Sequence, residues 1–136
     1  MDFQTLKPSI LSAYINWDVD SFELSPDGKT MAFVTNENGV NVLHLLNVAT
    51  SKEKTVPKLP LGTISGIEWH KNGRDLGFNL TSARSATDAY SMDVKTGKVD
   101  RWTSSETGGL STSNFSEPEL IQWKSFDGMT ITGFLY

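Results

Sequence analysis

The chain has 136 residues, a net charge of -4 from twelve basic and sixteen acidic side chains, and no cysteine. Its lysines and arginines are scattered rather than gathered into a stripe, which argues against nucleic acid and against a membrane surface as partners. The missing thiols exclude disulfides and thiolate metal sites but do not decide between the cytoplasm and an oxidising compartment.

The start, Met1 to Lys7, lacks a basic stretch followed by an apolar one and does not read as a signal peptide. No apolar run approaches the roughly 18 residues that a membrane-spanning helix needs. Residues 1–16 form a leading segment with little periodicity, an outer strand or a single helical turn, with Pro8-Ser9 and Asn16 bracketing Ile10 to Ile15. From Trp17 onward, short β-rich runs alternate with turn signals, which argues for an all-β protein.

The chain then says nearly the same thing twice. Phe22-Glu23-Leu24-Ser25-Pro26-Asp27-Gly28 through Phe33 returns 45 residues later as Ile67-Glu68-Trp69-His70-Lys71-Asn72-Gly73 through Phe78. Leu46-Asn47-Val48-Ala49-Thr50-Ser51-Lys52 returns as Met92-Asp93-Val94-Lys95-Thr96-Gly97-Lys98. A period of roughly 40–50 residues with several short strands per unit is the signature of β-propeller blades. The first unit, residues 17–62, reads as strands near 20–25, 30–36, 40–47 and 52–57. The second, residues 63–108, reads as strands near 64–70, 75–81, 87–94 and 98–103. Asp27-Gly28 and Asn38-Gly39 supply the positive φ that tight hairpin turns demand. Met31 to Val34 and Val42 to Leu46 are apolar on both faces, as expected of a sheet sandwiched between sheets, so Phe22, Phe33, Trp69 and Phe78 are expected in the core between blades.

The third unit fails. Gly108-Gly109 would open another blade, but Glu117-Pro118-Glu119 follows, then Leu120 to Phe126, Asp127-Gly128 and Met129 to Tyr136. Residues 109–136 are read as a linking strand and a β-hairpin on an Asp-Gly turn, with Ile121, Trp123, Ile131 and Phe134 as core positions. An ending on an apolar strand is read as truncation.

No catalytic constellation emerges, and no residue is assigned a catalytic, cofactor-binding or metal-binding role. Gly62-Thr63-Ile64-Ser65-Gly66 has its serine one place too late for a nucleophile elbow, and a turn between blades is expected there. His44 and His70 lack the spaced partners of a metal site and are expected to be structural or exposed. Asp27 and Asp127 precede glycines and are expected to cap their turns. Gly108-Gly109 is not followed by a helical pattern that would make a phosphate loop. Arg84, in a polar loop, is expected to be an exposed salt-bridge partner, with a gate or ligand contact as the sharper alternative.

The ordered series Trp17-Asp18-Val19, Ser25-Pro26-Asp27-Gly28, Ser82-Ala83-Arg84-Ser85, Asp88-Ala89-Tyr90, Arg101-Trp102-Thr103, Ser125-Phe126-Asp127-Gly128 and Ile131-Thr132-Gly133-Phe134-Leu135-Tyr136 resembles the prolyl oligopeptidase family of serine peptidases. The resemblance covers residues 17–136 and ends at what looks like the passage from propeller to α/β-hydrolase domain; Ala86 departs from a proline common in related sequences. It implies a parent serine peptidase whose triad lies in the hydrolase domain, beyond the matched residues, and whose propeller limits entry to short or unstructured peptides. The expected fold is therefore all-β, a partial propeller of about two four-stranded antiparallel blades and a C-terminal hairpin. The expected function is that of a non-catalytic propeller fragment, inactive alone, needing no cofactor and meeting peptide substrate only within the parent. The alternative is a stand-alone interaction module that self-associates through exposed blade faces or strand edges. A small hydrolase built on Asp and Glu pairs is a third, weaker reading.

Overall fold

The computed structural model describes residues 7–136; the first six residues of the leading segment lie outside it. Two four-stranded antiparallel sheets follow one another along the chain. The first is β1 (Val19–Leu24), β2 (Thr30–Glu37), β3 (Val40–Asn47) and β4 (Lys52–Lys54), paired in that order. The second is β5 (Gly62–Trp69), β6 (Asp75–Ser82), β7 (Ser85–Asp93) and β8 (Val99–Arg101), again in chain order. A two-stranded hairpin, β9 (Glu119–Lys124) and β10 (Thr130–Leu135), completes the fold.

The turns show why the sequence meanders. In the β1–β2 turn, the Gly28 N–H donates to the Ser25 carbonyl at 2.8 Å, and Gly28 has φ +70°. Forty-five residues on, the Gly73 N–H donates to the His70 carbonyl at 2.9 Å, with φ +63°. Both places need a backbone conformation that costs glycine nothing. Asp27 and Asp127 cap as expected, accepting from the N–H groups of Lys29 at 3.1 Å and Met129 at 3.0 Å. The outermost strands stop short of their expected ends. Beyond β4 come Pro57 and Pro60, which have no N–H to give a ladder.

The core lies between the sheets. Ala32, Val34, Leu43 and Leu45 of the first pack against Ile64, Ile67, Trp69, Leu76, Phe78, Leu80 and Met92 of the second. Each large side chain so buried contributes about 1.5–3 kcal/mol. Two hydrogen bonds fix the angle of approach: the Trp69 indole N–H donates to the Glu23 carbonyl at 3.1 Å, and the Ile64 N–H to Asn41 Oδ1 at 2.9 Å.

The packing is head to tail. Leu76 and Phe78, which face the first sheet, occupy the positions that Met31 and Phe33 occupy 45 residues earlier, and those two point away from the second sheet. Equivalent residues thus turn the same way in both sheets. This accounts for Phe22, which is not core: it pairs with Phe33 on the outward face and is 67% exposed, whereas its equivalent Ile67 is buried. Phe33 itself is fully buried, stacked on His44 at 4.7 Å with Leu11 of the leading segment nearby. Residues 11–14 of that segment form a turn.

The hairpin departs from expectation in its burial. Trp123, Ile131 and Phe134 are exposed and Ile121 half-buried, because no other strand packs over either face. Its open end, away from the Asp127-Gly128 turn, is where it meets the blades: Phe134, Tyr136 and Pro118 lie against Gly39, Leu61 and Gly62. Residues 102–118 hold no strand; Gly108 and Gly109 make a turn, followed by a 3-10 turn at Thr112–Asn114.

Candidate functional site

The residues singled out in the sequence fall into place as structure. Ser65 lies inside β5 rather than in a turn between blades, beside a bulge at Ser65–Glu68 where Gly66 has φ +59°. His70 sits at the β5–β6 turn and accepts from the Asn72 N–H at 3.3 Å. Arg84 is an ion-pair partner: its Nε lies 3.0 Å from Glu117 Oε1 and donates to the Phe115 carbonyl at 3.0 Å. It thereby fastens the segment before the hairpin to the β6–β7 turn.

His44 makes the arrangement that most resembles catalytic machinery. Its Nδ1 is 2.8 Å from Glu53 Oε1 and its Nε2 is 2.9 Å from Thr35 Oγ1, a carboxylate–imidazole–hydroxyl series. Geometry denies it a nucleophile's work. Thr35 is fully buried in mid-strand and also reaches Glu37 Oε1 at 3.0 Å, so no carbonyl can approach its oxygen. The cluster instead ties the leading segment to the sheet, since the Tyr14 hydroxyl donates to Glu53 at 2.7 Å. Burial, then the neighbouring Glu53 carboxylate, raises the Tyr14 pKa above its ordinary value. Among the described residues no group of three His, Asp or Glu side chains is placed to hold a metal ion. No helix of the described chain is long and apolar enough to cross a membrane.

One polar centre was not legible as such. Asp88 of β7 is buried, yet donors from four residues converge on its carboxylate, the Ser105 hydroxyl at 3.1 Å among them. Ser85 Oγ donates at 2.7 Å, Thr103 Oγ1 at 2.7 Å and the Ser105 N–H at 2.9 Å, and the Arg101 guanidinium completes the shell. The Ser85 hydrogen bond, followed by those of Thr103, Arg101 and Ser105, holds the Asp88 pKa well below the usual carboxylate range against the opposing effect of burial. The clue in the sequence was an aspartate inside an alternating strand, thirteen residues before an arginine.

A broad, open hollow of about 670 Å³ lies on the outward face of the second sheet. Glu68, Gly77, Ser91 and Trp102 line it, and Trp102, 71% exposed, is held upright by its indole N–H donating to Ser91 Oγ at 2.8 Å. Gly77 and Asn79 stand here where the first sheet has Ala32 and Val34 against its neighbour. Around the tryptophan the face is made of small or polar side chains, Gly77, Ser91 and Glu68.

Two meanders stacked head to tail, each with its first strand on one edge and its last on the other, are blades of a partial β-propeller. Solved structures with the same arrangement include prolyl peptidases. A prolyl endopeptidase, one of two studied for the role of inter-domain dynamics in catalysis and specificity, superposes with a TM-score of 0.68 and 17% identity over 87% of this chain. Prolyl oligopeptidase B from Galerina marginata, bound to a 25mer macrocyclization substrate, superposes with a TM-score of 0.69 and 15% identity, also over 87% of this chain. The same enzyme with a 35mer hydrolysis and macrocyclization substrate gives 0.68 and 15% over 86%. The chain spans only 16–17% of the length of these proteins. At such identities the likeness is one of fold. No family model matches the sequence, and no curated protein matches it.

Proposed function

We propose that this chain is a non-catalytic stretch of propeller, two blades and the hairpin after them, from a serine peptidase of the prolyl oligopeptidase family. In such a parent it serves as scaffold and as part of the filter that limits substrate access. The observation that carries the reading is the head-to-tail register of the two sheets. The outward face of the first sheet, with Phe22, Leu24 and Met31, repeats in kind the face that the second sheet buries, Ile67, Trp69 and Leu76. A heterologous contact of that sort extends until the ring closes, here after about four to eight blades. The fold likeness to prolyl peptidases, and the motif series ending in Phe126-Asp127-Gly128, support the family. The exposed apolar hairpin fits a surface made to meet a following domain.

The coding sequence around this chain tests the reading: further blade units before it and a G-x-S-x-G elbow, then Asp and His, after it are expected. Finding another fold on both sides would overturn it. The 136-residue chain itself is expected to take up no fluorophosphonate and to leave proline-containing peptides uncut. A covalent adduct in the intact mass would refute the claim of inactivity.

A second reading rests on the same exposed faces. Phe22 and Leu24 on one sheet and the Trp102 hollow on the other can meet between copies, giving a stand-alone module that assembles head to tail. Light scattering after size exclusion separates the two. A monomer across micromolar concentrations favours the propeller stretch alone, and a concentration-dependent oligomer lost on Phe22→Asp favours self-association.

A further inference from the structure

A second cavity lies at the other end of the second sheet, between the β6–β7 turn and the hydroxyl-rich segment that follows β8. It measures about 340 Å³, and its walls include Arg84, Arg101, Ser104, Ser105 and Thr112. No carboxylate is among its lining residues. We infer that this cavity is an oxyanion site that takes a phosphate group, held between the guanidinium groups of Arg84 and Arg101.

Both arginines are anchored and leave donors over. Arg101 spends its Nε on the Thr103 carbonyl at 2.9 Å and one terminal nitrogen on Ser85 Oγ and Asp88. Its other terminal nitrogen makes no hydrogen bond among the described residues. Arg84 is held through Nε alone, by the Phe115 carbonyl and Glu117, so both of its terminal nitrogens are likewise without partners among the described residues. Arg84 and Arg101, which both line this polar cavity, thus carry three terminal nitrogens without partners among the described residues on side chains already fixed in place, which reduces the ordering cost of binding. A guanidinium presents its donors in a fork that matches phosphate oxygens. Ser104 Oγ and Thr112 Oγ1, also without partners among the described residues, supply neutral donors to the same space.

The charge balance sets the class of ligand. Asp88 neutralises Arg101 from below and is itself buried, whereas Glu117 is half-exposed and pairs with Arg84 at the rim. A phosphate dianion, with more charge and more acceptor oxygens than a carboxylate, competes with Glu117 for Arg84. A single halide ion offers no fork and gains little. The cavity is also larger than inorganic phosphate requires, so a phosphomonoester of a small alcohol fits as well as the free ion.

Titration of the 136-residue chain with sodium phosphate, followed by calorimetry and by melting temperature, tests this against sodium chloride at matched ionic strength. Saturable binding at millimolar phosphate and a rise in melting temperature are expected. Arg84→Gln is expected to weaken binding about tenfold, the loss of one good charged contact, and Ser104→Ala to weaken it less; circular dichroism checks that both variants fold. Glycerol 2-phosphate binding more tightly than phosphate identifies an organic phosphate as the occupant, and equal binding identifies the phosphate group alone. No saturable effect beyond that of chloride, or phosphate binding unchanged in both variants, overturns the site. The result is independent of whether the chain belongs to a peptidase.

Discussion

Asp88→Ala is expected to be among the most damaging single substitutions in this chain, lowering the melting temperature by roughly 10 °C or more. The reason is what it strands. Ser85, Thr103, the Ser105 N–H and Arg101 all aim at one carboxylate inside the second sheet, and removing it leaves them without an acceptor where water enters poorly. Loss of the carboxylate also loosens the chain after β8, where Thr103 and Ser105 keep only their bonds to the Ala89 N–H and the Thr87 carbonyl of β7. Asp88→Asn keeps the shape and one acceptor oxygen, so its loss should be smaller.

The same carboxylate gives stability a pH dependence whose sign follows from its lowered pKa. A group held below its ordinary value is charged and stabilising in the folded state, and the contribution is present above the unfolded carboxylate value, about 4. It is lost as pH falls below that value. Asp93, lowered chiefly by Arg74 and also by the N–H groups of Lys95 and Thr96, acts in the same direction. Thermal melts from pH 7 down to pH 2.5 should therefore fall steeply below about pH 4, and less steeply in Asp88→Asn. Equal slopes in the two proteins would show that the Asp88 shell does not carry the acid sensitivity.

What could be read from the sequence was set by local chemistry. Asp27-Gly28 and Asp127-Gly128 fix turns through their own side chains and their own φ values, so the hairpins they close stand where expected. Strand interiors were legible because β2 and β3 are apolar on both faces, and both faces of these two strands do have cover, from the second sheet and, near Phe33, from Ser9, Leu11 and Ser12. Burial of individual residues was less accessible. Phe22 and Ile67 are equivalent in sequence, but only one has a neighbouring sheet over it, and that depends on which blade lies next to which. Trp123, Ile131 and Phe134 have the pattern of a core without an element of this chain to complete it. The Asp88 shell stayed hidden for another reason: its donors come from four places between Ser85 and Ser105, and only the return of β8 alongside β7 brings them together.

Gly62→Ala is expected to cost about 3 kcal/mol, seen as a lower urea midpoint with an unchanged slope. Gly62 opens β5 opposite Ser82, and a Cβ there would lie 1.9 Å from the Thr81 carbonyl oxygen and 2.9 Å from its carbon. Both are backbone atoms of β6, so relief requires the sheet itself to move, and with it the β6–β7 turn that carries Arg84. Gly77→Ala is the matched control. Its Cβ would meet the Glu68 carbonyl at 3.6 Å and the Tyr90 carbonyl at 3.9 Å, ordinary contacts on the open face of the same sheet. Fewer unfolded conformations then favour the folded state, by about 0.4–1 kcal/mol. The first sheet already carries an alanine at the equivalent position, Ala32, where it packs against its neighbour. Alanine at 77 would copy an interface the fold has used once, so in a longer propeller this substitution should be tolerated and Gly62→Ala should not. If the two substitutions cost the same, the close approach of β5 to the Thr81 carbonyl is not what holds this end of the blade.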